Sequence, residues 1–306
     1  MMAKNNHVSL RRSSSHWSRL VRGGVIRFGF LYPFIKMITQ SLMTDDDLIN
    51  ITVKWLPSKL TWSNYAVAYR KLMFKSYVWN SARVAIICTL GHVLSCAMTG
   101  YAFARYKFRF KGALFAMVIL TMLVPVQTVI IPQYMQFSNW GWLNSEYYLP
   151  LVVPSFLGFG LNGAFFIFLF RQFFSGMPYE MEEAARVDGC GPIRTFLHIM
   201  LPMSQSSLLV CTVLSIVWHW NDYFEPGVYF NSVWLKMLPN SLPNLYAELN
   251  KEQHTMIQTN DIEGVIFNEA MLMAATFLCI LPILILYLIL QKRFMEGVER
   301  SGLTGI

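Results

Sequence analysis

Long apolar stretches alternate with short polar segments along most of the chain. A helix needs about 20 mainly apolar residues to cross the hydrocarbon core of a bilayer, and six stretches reach that length. They cover approximately residues 25–43, 78–103, 112–137, 147–170, 201–224 and 270–290. The pattern therefore predicts an all-α integral membrane protein with six transmembrane helices.

The first of these stretches is the weakest, because Arg27 and Lys36 interrupt it. A charge near the centre of a span costs about 2.5–3.5 kcal/mol on insertion scales, so the apolar residues of the stretch can offset one charge but not two. We expect Arg27 to lie at the cytoplasmic edge, where its long side chain can reach water. Lys36 either faces another helix or the translocation path, or reaches the interface because the helix is tilted.

Two of the polar segments are long. In the first, Thr44–Tyr77, Ser63 or Asn64 can cap a short helix that continues through Lys71. The second, Glu225–Glu269, is rich in Pro and Asn and exceeds the length that a connector needs. It is either a docking surface or a plain solvated loop.

Composition supports burial in a membrane. Only 14% of residues are charged, 55% are hydrophobic and the mean hydropathy is +0.40, whereas soluble domains carry about 25% charged residues. The net charge of +8 comes from scattered clusters. In one of them, Arg105–Lys111, cations alternate with aromatic residues. Between two apolar stretches this indicates a topological anchor, not a platform for single-stranded nucleic acid.

The distribution of Lys and Arg predicts the orientation. With the N-terminus inside, 15 of the 25 basic residues lie in the cytoplasmic pieces and seven in the outside pieces. The positive-inside rule then places both termini and the loop 171–200 in the cytoplasm. This gives a cytoplasmic N-terminal tail at 1–22, a transmembrane domain at 23–293 and a cytoplasmic C-terminal tail at 294–306. The localisation expected is a bacterial or archaeal cytoplasmic membrane.

Sequence motifs for catalysis or metal binding are absent. The six histidines lack H-x-x-H or H-E-x-x-H spacing, the five cysteines form no CxxC pair, and there is no P-loop. We therefore expect no catalytic set, no metal and no directly bound cofactor. A membrane-embedded enzyme that modifies lipids or glycans is the alternative, with Asp222 and His219 as its only candidate pair. An ATP-independent secondary transporter is a third hypothesis, but no inverted repeat supports it.

The loop 171–200 has a distinctive local chemistry. Pro178 suits the first turn of a helix, and the acidic residues Glu180, Glu182 and Glu183 follow, where the helix dipole favours negative charge. Gly189 and Gly191-Pro192 then break this helix, and a second short helix is predicted over Ile193–Met200. A compact helical loop between two spans could transmit a partner's motion into both. The alternative is an ordinary amphipathic surface helix.

The loop also carries the spacing E-A-A-x3-G-x9-I-x-L-P, from Glu183 to Pro202. It resembles the cytoplasmic signature of permease subunits of binding-protein-dependent ATP-binding-cassette importers. Further segments resemble the carbohydrate-uptake permeases: Leu31-Tyr32-Pro33-Phe34, Asn80-Ser81, Gly100–Arg105, Pro125, Ile131-Pro132, Leu169–Phe174, Trp220-Asn221-Asp222 and Gln291–Gly297. Among these permeases the chain is similar to the maltose-type second subunit. Lys36, Arg83 and the polar stretch Ser241–Glu269 depart from the family's usual pattern.

The resemblance implies a set of partners. These are a second homologous permease subunit forming a heterodimer, two cytoplasmic ATPase subunits that use ATP and Mg, an extracytoplasmic solute-binding protein and the lipid bilayer, without nucleic acid. Glu183 is implied to contact a basic residue of the ATPase, with Ala184, Ala185 and Gly189 filling its groove. The ATPase-coupling residues predicted in this way are Glu182, Glu183, Ala184, Ala185, Asp188, Gly189, Ile199, Leu201 and Pro202.

Polar and aromatic residues inside spans are candidates for a solute pathway. Aromatic faces stack on sugar rings, and Asn or Asp can bind hydroxyl groups. The candidates are Trp218, Trp220, Asn221, Asp222, Tyr223, Gln127 and Asn162. An interfacial aromatic belt with satisfied helix contacts is an equal alternative. The function predicted is a permease for a sugar or oligosaccharide that works by alternating access, or else for a non-sugar solute such as a glycerophosphate compound.

Overall fold

The computed structural model describes residues 29–50, 52, 55–258 and 269–300. Within these residues the regular structure is entirely helical, which confirms the all-α class. The chain divides into two compact units, Met1–Lys71 with Tyr246–Leu278 and Leu72–Leu245 with Cys279–Ile306. The tail predicted at 1–22 lies outside the described residues.

The first unit begins with helix α1, which is described from residue 29 to residue 41. Helices α2 (Asp45–Ile49) and α3 (Ser63–Lys71) follow. α3 confirms the predicted short helix, but its capping differs from the prediction. The Ser63 amide donates to Thr61 Oγ1 at 3.3 Å. The Asn64 side-chain amide donates from Nδ2 to the carbonyl oxygens of Ser41 and Met43 at 3.0 and 2.8 Å. It therefore connects α3 to the end of α1 and does not cap α3.

Of the two charged residues in the first apolar stretch, Lys36 lies within the described part of the unit. Lys36 is exposed on α1, and Arg27 lies outside the described residues. The loop after α1 is held by Asp47, whose carboxylate accepts hydrogen bonds from the Ser58 amide at 3.1 Å and from the Ser58 hydroxyl. The Ser58 hydroxyl bond is the main cause that lowers the pKa of Asp47 below its usual value.

The second unit contains most of the helices. They are α4 (Phe74–Arg105), α5 (Lys111–Leu123), α6 (Val126–Asn139), α7 (Leu149–Phe156), α8 (Gly163–Ser175), α9 (Glu180–Val187), α10 (Pro192–Thr195), a π-helix (Phe196–Met200), α11 (Leu201–Met203), α12 (Gln205–Asn221), α13 (Phe224–Tyr229) and a 3₁₀ turn (Val233–Leu235). Two further helices, α14 (Leu238–Gln258) and α15 (Glu269–Arg300), contribute residues to both units. The stretch predicted to be a polar segment, residues 225–269, is thus largely helical where it is described. α15 also continues past residue 293, where the C-terminal tail is predicted to begin.

The apolar stretches differ in how straight they are. By length and composition, two described helices could cross a membrane, Phe74–Arg105 and Glu269–Glu296, or up to four if two bent pairs each count as one span. The predicted third stretch is a bent pair, since α5 and α6 meet at 99°. The predicted fourth stretch is also divided, into α7 and α8. The six spans therefore stay a prediction.

Local chemistry explains these breaks. Val124 is extended before Pro125, as the residue preceding a proline usually is. Between α7 and α8, Gly158 and Asn162 have φ of +76° and +59°, which no helix accommodates. A bend of 83° separates the segment Pro192–Met203 from α12. The length of each apolar stretch, taken alone, predicts a continuous span and does not reveal these breaks.

The core of the second unit forms around α4, which packs against α8, α12 and α7. The helices approach closely at glycines. A Cβ added at Gly100 of α4 would lie 2.6 Å from Phe170 Cβ and 2.9 Å from the Arg171 amide nitrogen of α8. This contact excludes any larger residue without a shift of the backbone. It therefore fixes the C-terminal end of α4, which the sequence predicts to be cytoplasmic, against α8.

Candidate coupling loop and solute pathway

The coupling loop, residues 171–200, is centred on α9. Three carboxylates, Glu180, Glu182 and Glu183, lie in the first turn of α9, where they complement the helix dipole. The helix ends with the Cys190 amide donating to the Ala185 carbonyl at 2.9 Å and the Gly189 amide donating to the Arg186 carbonyl at 3.1 Å. This is the hydrogen-bond pattern of a Schellman motif.

Gly189 ends α9 because its φ is +76°. Such a conformation costs other residues about 1–2 kcal/mol. The backbone conformation of this turn therefore explains by itself why the signature has a glycine at position 189. A Cβ added at Gly189 would meet nothing within 4 Å. No other residue that the structure describes therefore covers the surface in front of Gly189.

The two faces of α9 differ. Glu182 and Ala185, three residues apart, are buried against the chain's own core, while Glu183 and Ala184 are exposed. The predicted coupling residues thus divide into an inner and an outer set, with Asp188 and Gly189 also exposed. Only the outer set is accessible to another protein.

Glu182 forms an ion pair with Arg105, the last residue of α4. Arg105 Nε lies 3.1 Å from Glu182 Oε1, and the Arg105 side chain is fully buried. The same guanidinium donates from Nη2 to the Met177 carbonyl at 2.6 Å, and its central carbon lies 4.2 Å from the centre of the Tyr179 ring. The sequence did not indicate this pair.

The outer face of the loop is also apolar. Val187 is 87% exposed and Ile193 is 70% exposed, on either side of Gly189. Large apolar side chains exposed side by side with a glycine and a carboxylate indicate a surface that another protein covers.

The second half of the loop confirms a helix after Gly191-Pro192 but changes its type. α10 begins at Pro192, and residues Phe196–Met200 form a π-helix in which the Leu201 amide donates to the Phe196 carbonyl. Pro202 cannot donate a backbone hydrogen bond, which favours such an irregular turn before it. Of the predicted coupling residues here, Ile199 and Leu201 are half-buried and Pro202 is exposed.

The aromatic candidates for the solute pathway make internal contacts. Trp218 is half-buried, with its ring centre 5.2 Å from that of Phe165 and 5.1 Å from that of Phe166. Trp220 is buried, and its indole nitrogen donates to the Cys279 carbonyl at 3.2 Å. These contacts agree with the alternative of satisfied helix packing for the two tryptophans.

The remaining candidates are more accessible. Asn221 and Tyr223 are exposed, as are Gln127 after the α5–α6 bend and Asn162 before α8. Asp222 is half-buried, and its Oδ1 accepts hydrogen bonds from the amides of Phe224 and Glu225 at 3.1 and 3.3 Å.

A small polar cavity of about 30 Å³ opens beside Asp222. Its polar lining comprises Gln133, Ser155, His219, Asp222, Glu225 and Tyr229. The volume is sufficient for water but not for a sugar ring. Gln133, Ser155 and Glu225 were missed from the sequence, because they lie on three separate helices and carry no shared spacing.

A chain of buried polar groups leads from this cavity towards α4. His219 Nδ1 lies 2.8 Å from the Ser215 carbonyl oxygen, and His219 Nε2 lies 3.5 Å from Ser155 Oγ. Thr89 of α4 donates to Ser215 Oγ at 3.1 Å. These contacts tie α4, α7 and α12 together. They also engage both ring nitrogens of His219.

Helices long and apolar enough to cross a membrane, together with a loop that exposes an apolar, glycine-containing face, indicate a membrane protein that binds a partner. The chain belongs to the family of binding-protein-dependent transport system inner membrane components, whose sequence profile matches residues 96–300. Its members are transport components and not enzymes. ATPase subunits and a solute-binding protein are the partners that this family implies.

Similar proteins cover nearly the whole chain. The arabinooligosaccharides transport system permease protein AraQ of Halalkalibacterium halodurans is 26% identical and covers 94% of this chain and 96% of its own length. The lactose transport system permease protein LacG of Rhizobium radiobacter is 25% identical, covering 89% and 90%. The sn-glycerol-3-phosphate transport system permease protein UgpE of Yersinia enterocolitica is 26% identical, covering 89% and 91%.

The fold has a solved counterpart. A chain of a bacterial ABC transporter involved in the import of the acidic polysaccharide alginate superposes with a TM-score of 0.73 at 21% identity. The match covers 92% of this chain and 97% of the other. This likeness establishes the permease fold.

Proposed function

We propose that the chain forms half of the translocation pathway of an ATP-driven importer for a sugar or oligosaccharide and works by alternating access. A second, homologous permease forms the other half. The chain spans the cytoplasmic membrane six times with both termini in the cytoplasm. Two ATPase subunits bind the coupling loop from the cytoplasm, and ATP and Mg are bound there and not by this chain.

The observation that carries this proposal is the open outer face of α9. Glu183, Ala184 and Gly189 are exposed. Because Ala184 and Gly189 are small, another protein can approach the backbone of α9 closely at these positions. Val187 and Ile193 are uncovered beside them. A basic, grooved partner would bury these apolar side chains and pair with the Glu183 carboxylate. Movement of that partner would then turn the loop and the helices attached to it.

Carbohydrate is the solute class that most of the named relatives favour. AraQ and LacG are named for arabinooligosaccharides and lactose. UgpE is named for sn-glycerol-3-phosphate, and it supports a glycerophosphate compound as the second candidate. Uptake should therefore be compared for lactose, an arabino-oligosaccharide and sn-glycerol-3-phosphate in vesicles that contain the complete importer. Uptake of sn-glycerol-3-phosphate without uptake of either sugar would overturn the carbohydrate assignment.

Charge reversal at Glu183 tests the docking surface. In the complete importer, Glu183→Lys should reduce the amount of co-purified ATPase and the uptake about tenfold or more, because it replaces a paired charge by a repulsive one. Glu180→Lys is the matched control, since Glu180 is exposed on the first turn of the same helix. It changes the helix dipole to a similar extent. Normal ATPase binding and uptake with Glu183→Lys would contradict the proposal.

A further inference from the structure

The ion pair between Arg105 and Glu182 is an unexpected feature of the coupling loop. The guanidinium is fully buried, and the Glu182 side chain is 11% exposed. Burial of a charged pair costs desolvation free energy that its mutual attraction only partly recovers, so such a pair is weak evidence for stability alone. Stability alone therefore does not account for this pair.

Arg105 contacts three residues of the coupling loop between positions 177 and 182. Its guanidinium contacts the Met177 carbonyl, the Tyr179 ring and the Glu182 carboxylate. A planar guanidinium can hold such partners at fixed angles, which a lysine ammonium cannot do. These contacts connect α9 and the residues just before it to the last turn of α4.

The far side of the same helix carries the proposed docking residues. Glu182 and Glu183 are neighbours, but the first is buried against Arg105 and the second is exposed. A force applied to Glu183 and Gly189 would reach Arg105 through one turn of helix. From there it would enter α4, a helix of 32 residues that packs against α7, α8 and α12.

The end of α4 is also held firmly on its other side. The approach of Gly100 to Phe170 and Arg171, described above, leaves no space for even a Cβ. Displacement of Arg105 would therefore move α4 and α8 together and not merely bend the last turn. Tyr101 strengthens this connection, since its ring centre lies 5.3 Å from that of Phe174 on α8 and 5.1 Å from that of Phe196 in the π-helix.

We propose that Arg105 and Glu182 are positioning residues that transmit the movement of the ATPase-bound loop into α4. This inference rests on the proposed function. The pair holds α9 at a fixed angle, so that motion of the partner moves α4 and does not rotate α9 in place. Loss of the pair uncouples ATP hydrolysis from uptake while the ATPase stays bound.

The test uses the complete importer in proteoliposomes and measures three quantities: co-purified ATPase, ATP hydrolysis and uptake of the sugar that the wild-type complex transports best among lactose, maltose and an arabino-oligosaccharide. Glu182→Gln should keep ATPase binding and hydrolysis within about twofold but lower uptake per ATP about tenfold, equivalent to about 1.4 kcal/mol. Glu180→Gln, the same change on the exposed face, should leave the ratio of uptake to hydrolysis unchanged.

A second variant keeps the test decisive if Glu182→Gln does not fold, because it leaves a buried cation unpaired. The double variant Arg105→Met with Glu182→Leu removes both charges and keeps an apolar contact. It should assemble and hydrolyse ATP but stay uncoupled, because apolar packing does not fix the angle of α9. The reversed pair, Arg105→Glu with Glu182→Arg, should restore part of the uptake per ATP.

Two results would overturn the inference. One is wild-type uptake per ATP in the double apolar variant. The other is a parallel loss of ATPase binding and uptake in every variant, which indicates a purely structural pair. Failure of this inference is distinguishable from failure of the proposed function, because Glu183→Lys would still release the ATPase in the first case and would not in the second.

Discussion

The coupling loop and the aromatic run Trp218–Tyr223 use their large side chains in opposite ways. The loop buries a charged pair and exposes the apolar residues Val187 and Ile193. The aromatic run places Trp218 and Trp220 against its own helices and exposes Asn221 and Tyr223. The loop therefore has a surface that the described part of the chain leaves open, whereas the tryptophans pack against their own helices.

The side chains that remain accessible to a partner or a solute therefore differ between the two regions. In the loop, the residues available to a partner are small, acidic or apolar, and they lie on one face of α9. In the aromatic run, Asn221 and Tyr223 are exposed, whereas Trp218 is half-buried and Trp220 is buried. The cavity beside Asp222 holds about 30 Å³ and adds water-sized space only.

The largest effect is expected from bulk at Gly189. Gly189→Trp should abolish ATPase binding and uptake, because the indole would project into the open space that a partner must enter. Gly189→Ala carries the same backbone strain of about 1–2 kcal/mol without that bulk. It should keep a substantial part of both activities, measured as co-purified ATPase and solute uptake.

The contrast between these two variants is the informative quantity. If alanine and tryptophan reduce ATPase binding equally, the requirement for Gly189 lies in its positive φ and not in an approaching partner. The loop would then resemble the aromatic run, with its signature residues serving the chain's own structure.

Truncation of Trp218 should have the next largest effect, and on stability. Trp218→Ala removes the contacts with Phe165 and Phe166, so we expect a loss in unfolding free energy near the lower end of about 3–5 kcal/mol. The measurement is the thermal unfolding midpoint of the purified chain in detergent. Tyr223→Ala is the control, because Tyr223 is 58% exposed and should leave the midpoint unchanged.

Solute uptake decides what Trp218 does in the assembled importer. A stable Trp218→Ala protein that loses sugar affinity would show that Trp218 faces the solute. It would contradict the interpretation that Trp218 serves only internal packing. For Tyr223→Ala the expected pattern is the reverse, with normal stability and weaker uptake.

The coupling loop could be predicted from sequence to a large extent because its structure is decided locally. The positive φ of Gly189, the proline at the start of α10 and the acidic first turn of α9 follow from the preferences of individual residues. The inward direction of Glu182 could not be predicted in this way. It depends on Arg105, which is distant in sequence and lies in segments that predict a topological anchor and resemble the permease family, neither of which indicates a partner for Glu182.

The helix breaks show a second limit. Pro125 and Gly158 are visible in the sequence, but both lie within stretches whose apolar length indicates a continuous span. Length reports how much apolar surface must be buried, not whether one straight helix buries it. The internal hydrogen bond of Trp220 could not be predicted for a related reason, since its acceptor, the Cys279 carbonyl, lies on α15, far away in sequence.

The smallest effect is expected from the indole nitrogen of Trp220. Trp220→Phe keeps an aromatic ring at a buried position and removes only the hydrogen bond to the Cys279 carbonyl, which is 3.2 Å long. We expect a loss of about 1 kcal/mol in unfolding free energy with little change in uptake. Trp234→Phe, at a position that is 74% exposed, should change neither quantity. A marked loss of uptake with unchanged stability would instead place the Trp220 indole on the solute pathway, because only a lost contact with solute would separate the two measurements.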